Sequence, residues 1–407
     1  MPSPSRITAN SSTISKVNQT AIIDALKAHG PLPKARIGEL TGLSPATVNR
    51  LTTVLLKERI IVTDGQEPST GGRPSLVFKY SGRSRAVAGI QLRAEKATGM
   101  LIDFDGKVIE HYEVPFDAVA GETPGNEEQQ KAFQHMRLEQ TLELFDHLLK
   151  VGEKNGTPCL SVGVSVPGVV SGEDGIVGRT PELGWPTLAL GKILRERTKI
   201  PVVLENDANA LAFGELRRGA GQGASTLIAV LLGNGLGAGL VTNGMLHRGA
   251  SSEAGEIGYM LMDRSSLQKS FGDLGDLENR VGAISITKAA RQHGLNVPAG
   301  TLMTAQDLVT LAAEGNPVAQ LMADEILDLI AIAIANMSVL LDPELVVVGT
   351  NRAPVPDTVI DGLTARLKGR IIRVPPLVRA ELGENAVLVG VAELALDQVS
   401  GRTYVAK

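Results

Sequence analysis

A cluster of carboxylate and amide side chains stands in the middle of the chain, at Glu205-Asn206-Asp207-Ala208-Asn209. It follows the apolar run Val202-Val203-Leu204 and precedes a helical pattern that starts near Ala210. Polar groups at the carboxyl end of a strand face the crevice of an α/β fold, where they can accept and donate hydrogen bonds to vicinal hydroxyl groups. One carboxylate in such a place could also accept a hydroxyl proton during phosphoryl transfer. A helix N-cap is the simpler alternative, although a cap needs only one of these side chains.

Two later segments offer further groups to the same kind of site. Residues 233–239 contain closely spaced glycines, which let backbone N–H groups approach a phosphate but equally let a tight turn form between two strands. Residues 251–259 place carboxylates and a tyrosine on a predicted loop, where they either complete a hydroxyl-binding site or stay solvated. For both segments the two interpretations stay open.

The periodicity of apolar residues indicates which elements must position these groups. After Ser81-Gly82 the pattern becomes that of two α/β units, each opening with three strands and continuing with helices and a further apolar strand. The predicted strands are residues 86–92, 99–103, 107–114 and 161–166 in the first unit and 226–232, 237–242, 245–247 and 345–348 in the second. An internal duplication of this kind predicts two lobes with a cleft between them, which is the usual place for a ligand.

The N-terminal region predicts a separate DNA-binding module. The pattern changes at Lys16, and apolar residues at helical spacing, from Ala21 to Leu26, stop near Gly30-Pro31. A second helix is predicted at residues 34–41. Ser44-Pro45 opens a third helix, with the serine as N-cap and the proline as first helical residue. Two short strands on either side of Gly71-Gly72-Arg73-Pro74 form a predicted wing. The segment is therefore predicted to be a winged helix-turn-helix.

The third helix would present small and hydrogen-bonding residues to the major groove, because Val48, Leu51 and Leu55 point inward. An arginine on the wing tip could enter a narrow A·T-rich minor groove. The predicted DNA-binding residues are Ser44, Ala46, Thr47, Asn49, Arg50, Thr53 and Arg73. The charge distribution supports this prediction, because residues 1–80 carry a net charge of +5 and residues 81–407 one of −9. A three-helix interaction module that touches no nucleic acid is the alternative.

Composition argues against several classes of protein. The single cysteine, Cys159, cannot form an internal disulfide and is predicted to be a buried small hydrophobe, which fits a reducing cytoplasm. Residues 1–15 are polar and lack the apolar core of a signal peptide. The longest apolar stretch, residues 326–341, is interrupted by Asp328 and Asn336 and is too short to cross a bilayer, so it is predicted to be a buried helix. We therefore expect a cytoplasmic protein with no membrane partner.

Several short motifs occur in an order that resembles one known family. They are Gly71-Gly72-Arg73-Pro74, Pro167-Gly168, Leu183-Gly184-Trp185, Glu205-Asn206-Asp207-Ala208-Asn209, Ala254-Gly255-Glu256-Ile257-Gly258 and Asp342-Pro343-Glu344. On these motifs the chain resembles, from about residue 16 onward, the ROK family of repressors, open reading frames and kinases. Within that family it is similar to the winged-helix, sugar-responsive repressors for N-acetylglucosamine and xylose. The resemblance implies a winged helix-turn-helix followed by a two-lobed α/β core of the actin-like ATPase and sugar-kinase (ribonuclease H-like) fold.

The implied division of the chain has four parts. Residues 1–15 would be a flexible tail, residues 16–82 the DNA-binding domain, residues 83–204 the first lobe and residues 205–384 the second lobe. The C-terminal segment, residues 385–407, is expected to pack back on the first lobe. The ligand would bind between the two lobes.

The resemblance also implies a set of ligand-binding residues: Gly168, Glu182, Asn206, Asp207, Glu256, Tyr259 and Glu278. In family kinases the position of Asp207 acts as the catalytic base, and the positions of Glu256 and Glu278 contact ring hydroxyls. Glu182 replaces an Asn that is common in the family. Tyr259 replaces a His that contacts the sugar in the relatives, so an altered ligand preference is expected rather than a loss of binding.

Two further departures argue against catalysis and against a bound metal. The kinases open the first lobe with Asp-x-Gly-Gly-Thr-Lys, which holds the ATP phosphates, whereas this chain reads Gln91-Leu92-Arg93-Ala94-Glu95-Lys96. An arginine and a glutamate occupy a loop that needs bare backbone and no negative charge, so we predict no catalytic residue, no ATP use and no cofactor. The family's zinc segment, Cys-x-Cys-Gly-x-x-Gly-Cys-x-Glu, keeps its glycines and Glu278 at residues 269–278 but no thiol, so no metal site is expected.

The function predicted from these features is a DNA-binding transcriptional regulator, in the first place a repressor of carbohydrate or amino-sugar uptake and metabolism genes. A sugar or sugar phosphate in the cleft would shift the protein between DNA-competent and DNA-incompetent states. The expected partners are double-stranded DNA with a palindromic operator, the sugar effector, and further copies of the chain in a homodimer or homotetramer. Two alternatives are an active carbohydrate kinase with a DNA-binding head and a regulator that responds to a protein partner.

Overall fold

The computed structural model of the chain describes residues 11–66, 75–116, 127–172, 174–178, 180, 183–272, 274–350 and 354–399. The N-terminal module contains α1 (Ser11–His29), β1 (Leu32–Pro33), α2 (Lys34–Thr41), α3 (Pro45–Lys57), β2 (Ile61–Gln66) and β3 (Leu76–Tyr80). Its strands form an antiparallel sheet in the order β1-β3-β2. Ile22, Ile37, Leu51, Ile61 and Phe78 meet in its apolar core, which holds the three helices against the sheet. The predicted winged helix-turn-helix is confirmed, with the wing tip at residues 67–74 outside the described residues.

The third helix begins where the sequence predicts. Ser44 Oγ accepts a hydrogen bond from the backbone N–H of Thr47 at 3.3 Å, and Pro45 is the first helical residue. Val48 and Leu55 are buried against the other helices, as the apolar spacing predicts. The opposite face of α3 is consequently left to solvent.

The first helix, by contrast, starts earlier than predicted. It begins at Ser11 rather than after residue 15, although Ile14 and Val17 are exposed by 51% and 54%. A helix that has already formed gains one backbone hydrogen bond for each residue added, without any need to bury side chains. The expectation of a flexible tail is therefore wrong for residues 11–15, and residues 1–10 lie outside the described residues.

The first α/β unit is built on a five-stranded sheet. Its elements are β4 (Ala86–Leu92), β5 (Lys96–Asp103), β6 (Val108–Pro115), α4 (Glu127–Lys154), β7 (Cys159–Val166), β8 (Val170–Ser171), β9 (Ile176–Val177), α5 (Leu190–Arg197), β10 (Val202–Asn206) and α6 (Asp207–Arg218). The strand order is β10-β7-β4-β5-β6, with β8 and β9 forming a separate hairpin. Strands β4, β7 and β10 are parallel, so their carboxyl ends lie at one edge of the sheet.

The second α/β unit repeats this plan. Its elements are β11 (Leu227–Leu232), β12 (Leu236–Thr242), β13 (Met245–Leu246), α7 (Glu278–Val281), α8 (Ala283–Gln292), α9 (Ala305–Ala313), α10 (Pro317–Leu341), β14 (Leu345–Gly349), α11 (Asp357–Leu367) and β15 (Leu377–Arg379). The strand order is β13-β12-β11-β14-β15. In both units the first three strands form an antiparallel meander. The fourth strand pairs in parallel with the first, and the fifth pairs in parallel with the fourth. The shared topology confirms the internal duplication.

The final helix, α12 (Ala386–Val399), packs on β4 and β7 of the first sheet and on α6, which itself packs on β11 and β12 of the second sheet. Two glycines permit this close approach. A Cβ on Gly163 would lie 1.9 Å from the carbonyl oxygen of Val391, and a Cβ on Gly390 would lie 1.8 Å from that of Ala210. The chain therefore returns to the first lobe after it has completed the second.

The boundary between the lobes lies later than predicted. Glu205 and Asn206 pair with Ser165 and Val166 of β7, so both residues belong to the first sheet. The predicted division between residues 204 and 205 follows the end of the apolar run, whereas the backbone ladder continues through the polar residues. Both side chains consequently stand at the carboxyl end of the sheet, where α6 begins.

Two compositional expectations concern buried apolar segments. Cys159 is buried on β7, and burial raises the pKa of its thiol to about 12, which confirms its interpretation as a small hydrophobe. Residues 326–341 lie within α10, where Ile330 and Ile334 are buried. Within the described ranges, no helix combines the length and the apolar character that a membrane span requires.

Candidate functional site

The carboxyl end of β10 and the first turn of α6 form the base of the candidate site. Asn206 is the N-cap of α6, because its Oδ1 accepts hydrogen bonds from the backbone N–H groups of Ala208 and Asn209 at 2.9 and 3.3 Å. Its Nδ2 donates to the carbonyl of Gly168 at 3.1 Å. Gly168 has a φ of 124°, which residues with a side chain rarely adopt. The cap interpretation is confirmed for Asn206, which also holds the loop after β7 against the site.

Three carboxylates meet beside this cap. Asp207 is the first residue of α6, Glu256 precedes the short 3-10 turn Ile257–Tyr259, and Glu278 begins α7. Burial, followed by the nearby charges of Glu256 and Glu278, raises the pKa of Asp207 to about 7. Burial is also the main cause that raises the pKa of Glu256 and of Glu278. The structure therefore brings these three predicted residues together.

Two glycines make room for the carboxylate of Glu278. A Cβ on Gly235 would lie near its Oε1, at 2.4 Å, and a Cβ on Gly258 would lie 2.9 Å from its Oε2. A larger residue at either position would displace the carboxylate from Asp207. Gly235 and Gly258 come from the two segments that the sequence left open, so both segments border the carboxylate site.

Two other glycines of residues 233–239 are explained by packing. A Cβ on Gly237 would lie 3.0 Å from the Cβ of Ala208, and a Cβ on Gly239 would lie 2.2 Å from the carbonyl oxygen of the same residue. These glycines let β12 pack directly on the first turn of α6. The structure thus favours the turn-and-packing interpretation of this segment over a phosphate cradle.

The electrostatics of the three carboxylates favour a ligand that donates hydrogen bonds. Burial has raised the pKa of these carboxylates, and a hydrogen-bond donor stabilises their charged form. A polyol supplies such donors at neighbouring positions. An anionic group placed among the same side chains would be repelled. The arrangement can therefore bind ring hydroxyls, and Asp207, with a pKa near neutrality, can accept a proton from one of them.

An ion pair between the buried carboxylate of Glu205 and Arg248, which the sequence reasoning missed, joins the end of β10 to the loop after β13. Glu205 Oε2 accepts hydrogen bonds from Arg248 Nε and Nη2 at 2.8 and 2.6 Å, and its Oε1 accepts one from Asn209 Nδ2 at 3.0 Å. The carbonyl of Arg248 accepts a hydrogen bond from Ala254, in the loop that leads to Glu256. The pair therefore ties that loop to the end of β10. A carboxylate directly after an apolar strand was the available signal, because a buried charge needs a partner.

The hairpin that holds phosphates in the kinases is filled here by protein contacts. Arg93 donates its backbone N–H to the carbonyl of Lys96 at 3.0 Å, which closes the turn between β4 and β5. Lys96, the residue that survives from the kinase motif, forms an ion pair with Glu113 on β6. Arg137 of α4 donates to the carbonyl of Ala94 at 3.2 Å. The hairpin is thus closed by this chain's own side chains.

Two predicted ligand residues are not placed in the site. Glu182 lies outside the described residues, as does Arg73 on the wing. Tyr259 is 46% exposed, and its hydroxyl donates to the carbonyl of Gly272 at 2.7 Å. That hydroxyl is directed at the segment which replaces the family's thiols, so a sugar contact of Tyr259 stays a prediction.

The segment that replaces the zinc-binding thiols is held by an arginine. Arg280 donates hydrogen bonds to Asp263, Asp276 and Ser266. Burial alone would raise the pKa of Asp276, but hydrogen bonds from Ser266, Met262 and Arg280 outweigh it and lower the pKa. In the part of the chain that the structure describes, no group of three or more His, Cys, Asp or Glu residues is placed to hold a metal ion.

The recognition face of α3 is exposed as predicted for Ala46, Asn49, Arg50 and Thr53. Three hydroxyl groups of this face already have partners. The hydroxyls of Ser44 and Thr47 hydrogen-bond each other at 2.9 Å, and the hydroxyl of Thr53 donates to the carbonyl of Asn49.

Lys34, which the sequence reasoning missed, fixes one side chain of this face. It begins α2, and its Nζ donates to Asn49 Oδ1 at 2.6 Å. The amide of Asn49 is thereby oriented with its Nδ2 available for a base edge. Arg50 is an exposed charged side chain of the same face.

Comparison with known proteins places this architecture in a family. A family model for the ROK family matches residues 87–398. The putative xylose repressor of Caldicellulosiruptor sp. (strain Rt8B.4) is 28% identical over 87% of this chain and 88% of that protein. The crystal structure of a ROK family transcriptional regulator, a homolog of the E. coli MLC protein, matches 96% of this chain and 98% of its own with a TM-score of 0.75 at 21% identity. A ROK family glucokinase from Streptomyces griseus, solved with glucose and AMPPNP, matches 77% of this chain and 99% of its own with a TM-score of 0.60 at 26% identity.

Proposed function

The chain belongs to the ROK family, and on that premise we propose that it is a sugar-responsive transcriptional regulator that represses genes of carbohydrate uptake and metabolism. One observation carries the proposal: a winged helix with an exposed recognition face and a carboxylate-lined site occur in the same chain. A repressor needs both, because the effector must change the affinity for DNA. The match to a xylose repressor over most of both chains supports the same function.

The effector in this proposal is a sugar or a sugar phosphate bound beside α6. Asp207, Glu256 and Glu278 accept hydrogen bonds from its hydroxyls, while Gly168 and Asn206 line the neighbouring wall. The repulsion that the three carboxylates exert on an anion favours an unphosphorylated sugar, or a phosphate group that points away from them. The predicted contacts of Glu182 and Tyr259 are part of this proposal.

We further propose that the protein reads a palindromic operator as a homodimer or homotetramer in the cytoplasm. A single winged helix covers one half-site, and two-fold symmetry of the protein then requires the same symmetry of the operator. The predicted contacts are the exposed face of α3 in the major groove and Arg73 of the wing in the minor groove.

An active sugar kinase is the second candidate, and one observation favours it. Asp207 stands at a helix N-terminus with a pKa near neutrality, as a general base for a sugar hydroxyl would. The closed hairpin opposes it, because Lys96 is paired with Glu113 and Arg93 donates its backbone N–H to the carbonyl of Lys96. A coupled ADP-release assay over a panel of hexoses decides between the two, and turnover that Asp207→Asn abolishes would establish the kinase.

The proposed function is tested by fluorescence anisotropy on a labelled duplex from the region upstream of the protein's own gene. The titration is repeated at low salt with D-xylose, D-glucose, N-acetyl-D-glucosamine and their phosphates. Arg50→Ala should weaken DNA binding and leave sugar binding intact, whereas Asp207→Ala should do the reverse. Arg36→Ala is the matched control, because Arg36 is an exposed arginine of the same module that pairs with Glu39 on α2.

Two results would refute this function. Absence of any DNA binding would exclude a regulator of this kind. DNA binding that responds to none of the sugars, together with blank calorimetry against the same panel, would instead favour a regulator that answers to a protein partner.

A further inference from the structure

Helix α6 runs from the candidate sugar site to the side of the core that faces the DNA-binding module. Asn206 caps its first turn and Asp207 is its first residue, while Arg217 and Arg218 form its last turn. Its 12 residues span about 18 Å. Residues 208–216 are buried throughout, packed on β11, β12 and α12. A helix so enclosed moves as a rigid element, so a displacement at its first turn reaches its last turn.

The last turn of α6 contacts the turn between β5 and β6. Arg218 Nε donates to Glu393 of α12 at 2.7 Å, which fixes the direction of the guanidinium. Its Nη1 lies 3.3 Å from the place that a Cβ on Gly106 would occupy, so the guanidinium packs on the backbone of that glycine. Gly106 has a φ of 86°, and no bulkier residue fits there without strain.

The same turn holds the linker to the DNA-binding module. Phe104, just before Gly106, donates its backbone N–H to the carbonyls of Gly82 and Arg85 at 3.1 and 3.3 Å. Gly82 is packed so tightly on Asp105 that a Cβ would lie near Asp105 Oδ1, at 2.3 Å. The turn and the linker are therefore in direct backbone contact.

The linker in turn holds the end of the recognition helix. Ser84 Oγ donates to the carbonyl of Arg59 at 2.7 Å, and Arg85 Nη2 donates to the backbone and side-chain oxygens of Glu58 at 3.4 Å. Glu58 is the C-cap of α3. Tyr80 is the last residue of the wing strand β3. It lies close enough to Arg218 for the positive charge of the guanidinium to act on the pKa of the Tyr80 phenol. The recognition helix is thus docked on the core through the same few residues.

We infer that α6 is the element which couples sugar binding to DNA binding, with Arg218 as the positioning residue that transmits its displacement to the linker and to the end of α3. This inference rests on the proposed function and names the regulation of the same site. A sugar that binds Asp207 and Asn206 differently in two positions of α6 biases the placement of the recognition helix, although no ligand touches the linker. Packed interfaces of this kind switch between discrete arrangements, which lets a small shift matter.

The test measures a coupling factor, which is the ratio of the DNA dissociation constants with and without saturating sugar. The probes are the labelled upstream duplex and D-xylose, D-glucose and N-acetyl-D-glucosamine, each in turn. We expect a factor of roughly fivefold or more for the wild type. Arg218→Ala should bring it to within about twofold of one, while calorimetry shows the sugar dissociation constant changed by less than about threefold. A purely structural role would lower stability or sugar affinity without removing the coupling.

Arg217→Ala is the matched control. Arg217 is the neighbouring residue on α6 and pairs with Asp397 of α12 at 2.7 Å, as Arg218 pairs with Glu393. It should keep the wild-type coupling factor. Arg218→Lys guards against a folding defect, because it retains a cation opposite Glu393 but lacks the planar group that packs on Gly106. It should fold normally and lose most of the coupling.

The possible outcomes separate the inference from the function on which it rests. Wild-type coupling in Arg218→Ala or in a folded Arg218→Lys would overturn the inference, and so would an equal loss in Arg217→Ala. A wild type whose DNA affinity responds to none of the sugars would overturn the proposed function itself. Loss of coupling confined to the Arg218 variants supports both.

Discussion

Replacing Asp207 by Asn should stabilise the protein without ligand and weaken its sugar binding. Burial raises the pKa of Asp207 to about 7, so its charge is unfavourable in the folded state. Asn keeps the shape and an oxygen that can accept the N–H of Ala208, as Asp207 Oδ1 does at 2.9 Å. The substitution therefore removes the charge with little change in packing.

The effect on stability has a definite sign and pH range. The pKa is 3.8 in the reference state and about 7 in the folded protein, so the folded state binds more protons between these values and the wild type loses stability as pH rises through them. About three pKa units correspond to roughly 4 kcal/mol, which is an upper bound because the residue keeps some contact with solvent and salt screens the neighbouring carboxylates. We expect about 2 kcal/mol, or a rise in Tm of about 3 °C for a core of about 300 residues.

The assay is thermal unfolding of the wild type and of Asp207→Asn from pH 4 to pH 8.5 without sugar. The difference in Tm should be small near pH 4, grow through neutrality and level off above it. Calorimetry at pH 8 should show sugar affinity reduced by roughly 10-fold to 100-fold, because a hydrogen bond to a charged acceptor is lost. A Tm difference that is independent of pH, or a wild type that is the more stable protein at pH 8, would refute the reasoning about the buried charge.

Three other substitutions test the polar contacts. Arg248→Ala should leave the buried Glu205 without its cation, lower the free energy of unfolding by about 2 kcal/mol in urea titrations and weaken sugar binding in calorimetry. Arg280→Ala should lower the free energy of unfolding by about 3 kcal/mol, since the buried Asp276 keeps its charge but loses its partner. Ser44→Ala should cost about 1 kcal/mol in the unfolding of the N-terminal module, measured by differential scanning calorimetry of the full chain, through loss of the N-cap.

Each of these predictions has a control that can contradict it. Adding Glu205→Gln to Arg248→Ala should recover part of the lost stability, and an additive loss would argue against a charge penalty. Adding Asp276→Asn to Arg280→Ala should act in the same way. Ser44→Asp retains a capping oxygen and should keep the stability of the module, so an equal loss in Ser44→Ala and Ser44→Asp would exclude the cap as the cause.

Elements with a regular apolar pattern could be predicted from the sequence. Helix α2 has the predicted bounds, and the strands of both sheets start and end within a few residues of their predictions. These elements depend on local periodicity, which the burial of one face imposes on the sequence. The start of α1 could not be predicted in this way, because its first turns bury little.

The candidate site could be predicted in part. The carboxylates Asp207, Glu256 and Glu278 follow from motifs, and the structure brings them together. The partners of the buried charges could not be predicted, because Glu205 on β10 and Arg248 in the loop after β13 lie 43 residues apart. Pairing of that kind depends on how the two lobes pack, and nothing in the local sequence encodes it.

The contrast between the preserved carboxylates and the filled hairpin has a physical reason in a regulator. A signal requires only that the sugar bind one state of the protein more tightly than another. A buried carboxylate whose charge is unfavourable without ligand provides such a difference, because the sugar stabilises that charge. Stabilisation of a transferring phosphoryl group plays no part in that difference. Closing the hairpin with Arg137 and the Lys96–Glu113 pair therefore does not weaken the proposed response to sugar. Under the proposed coupling, sugar binding at Asp207 becomes a signal only when the shift of α6 reaches α3 through Arg218.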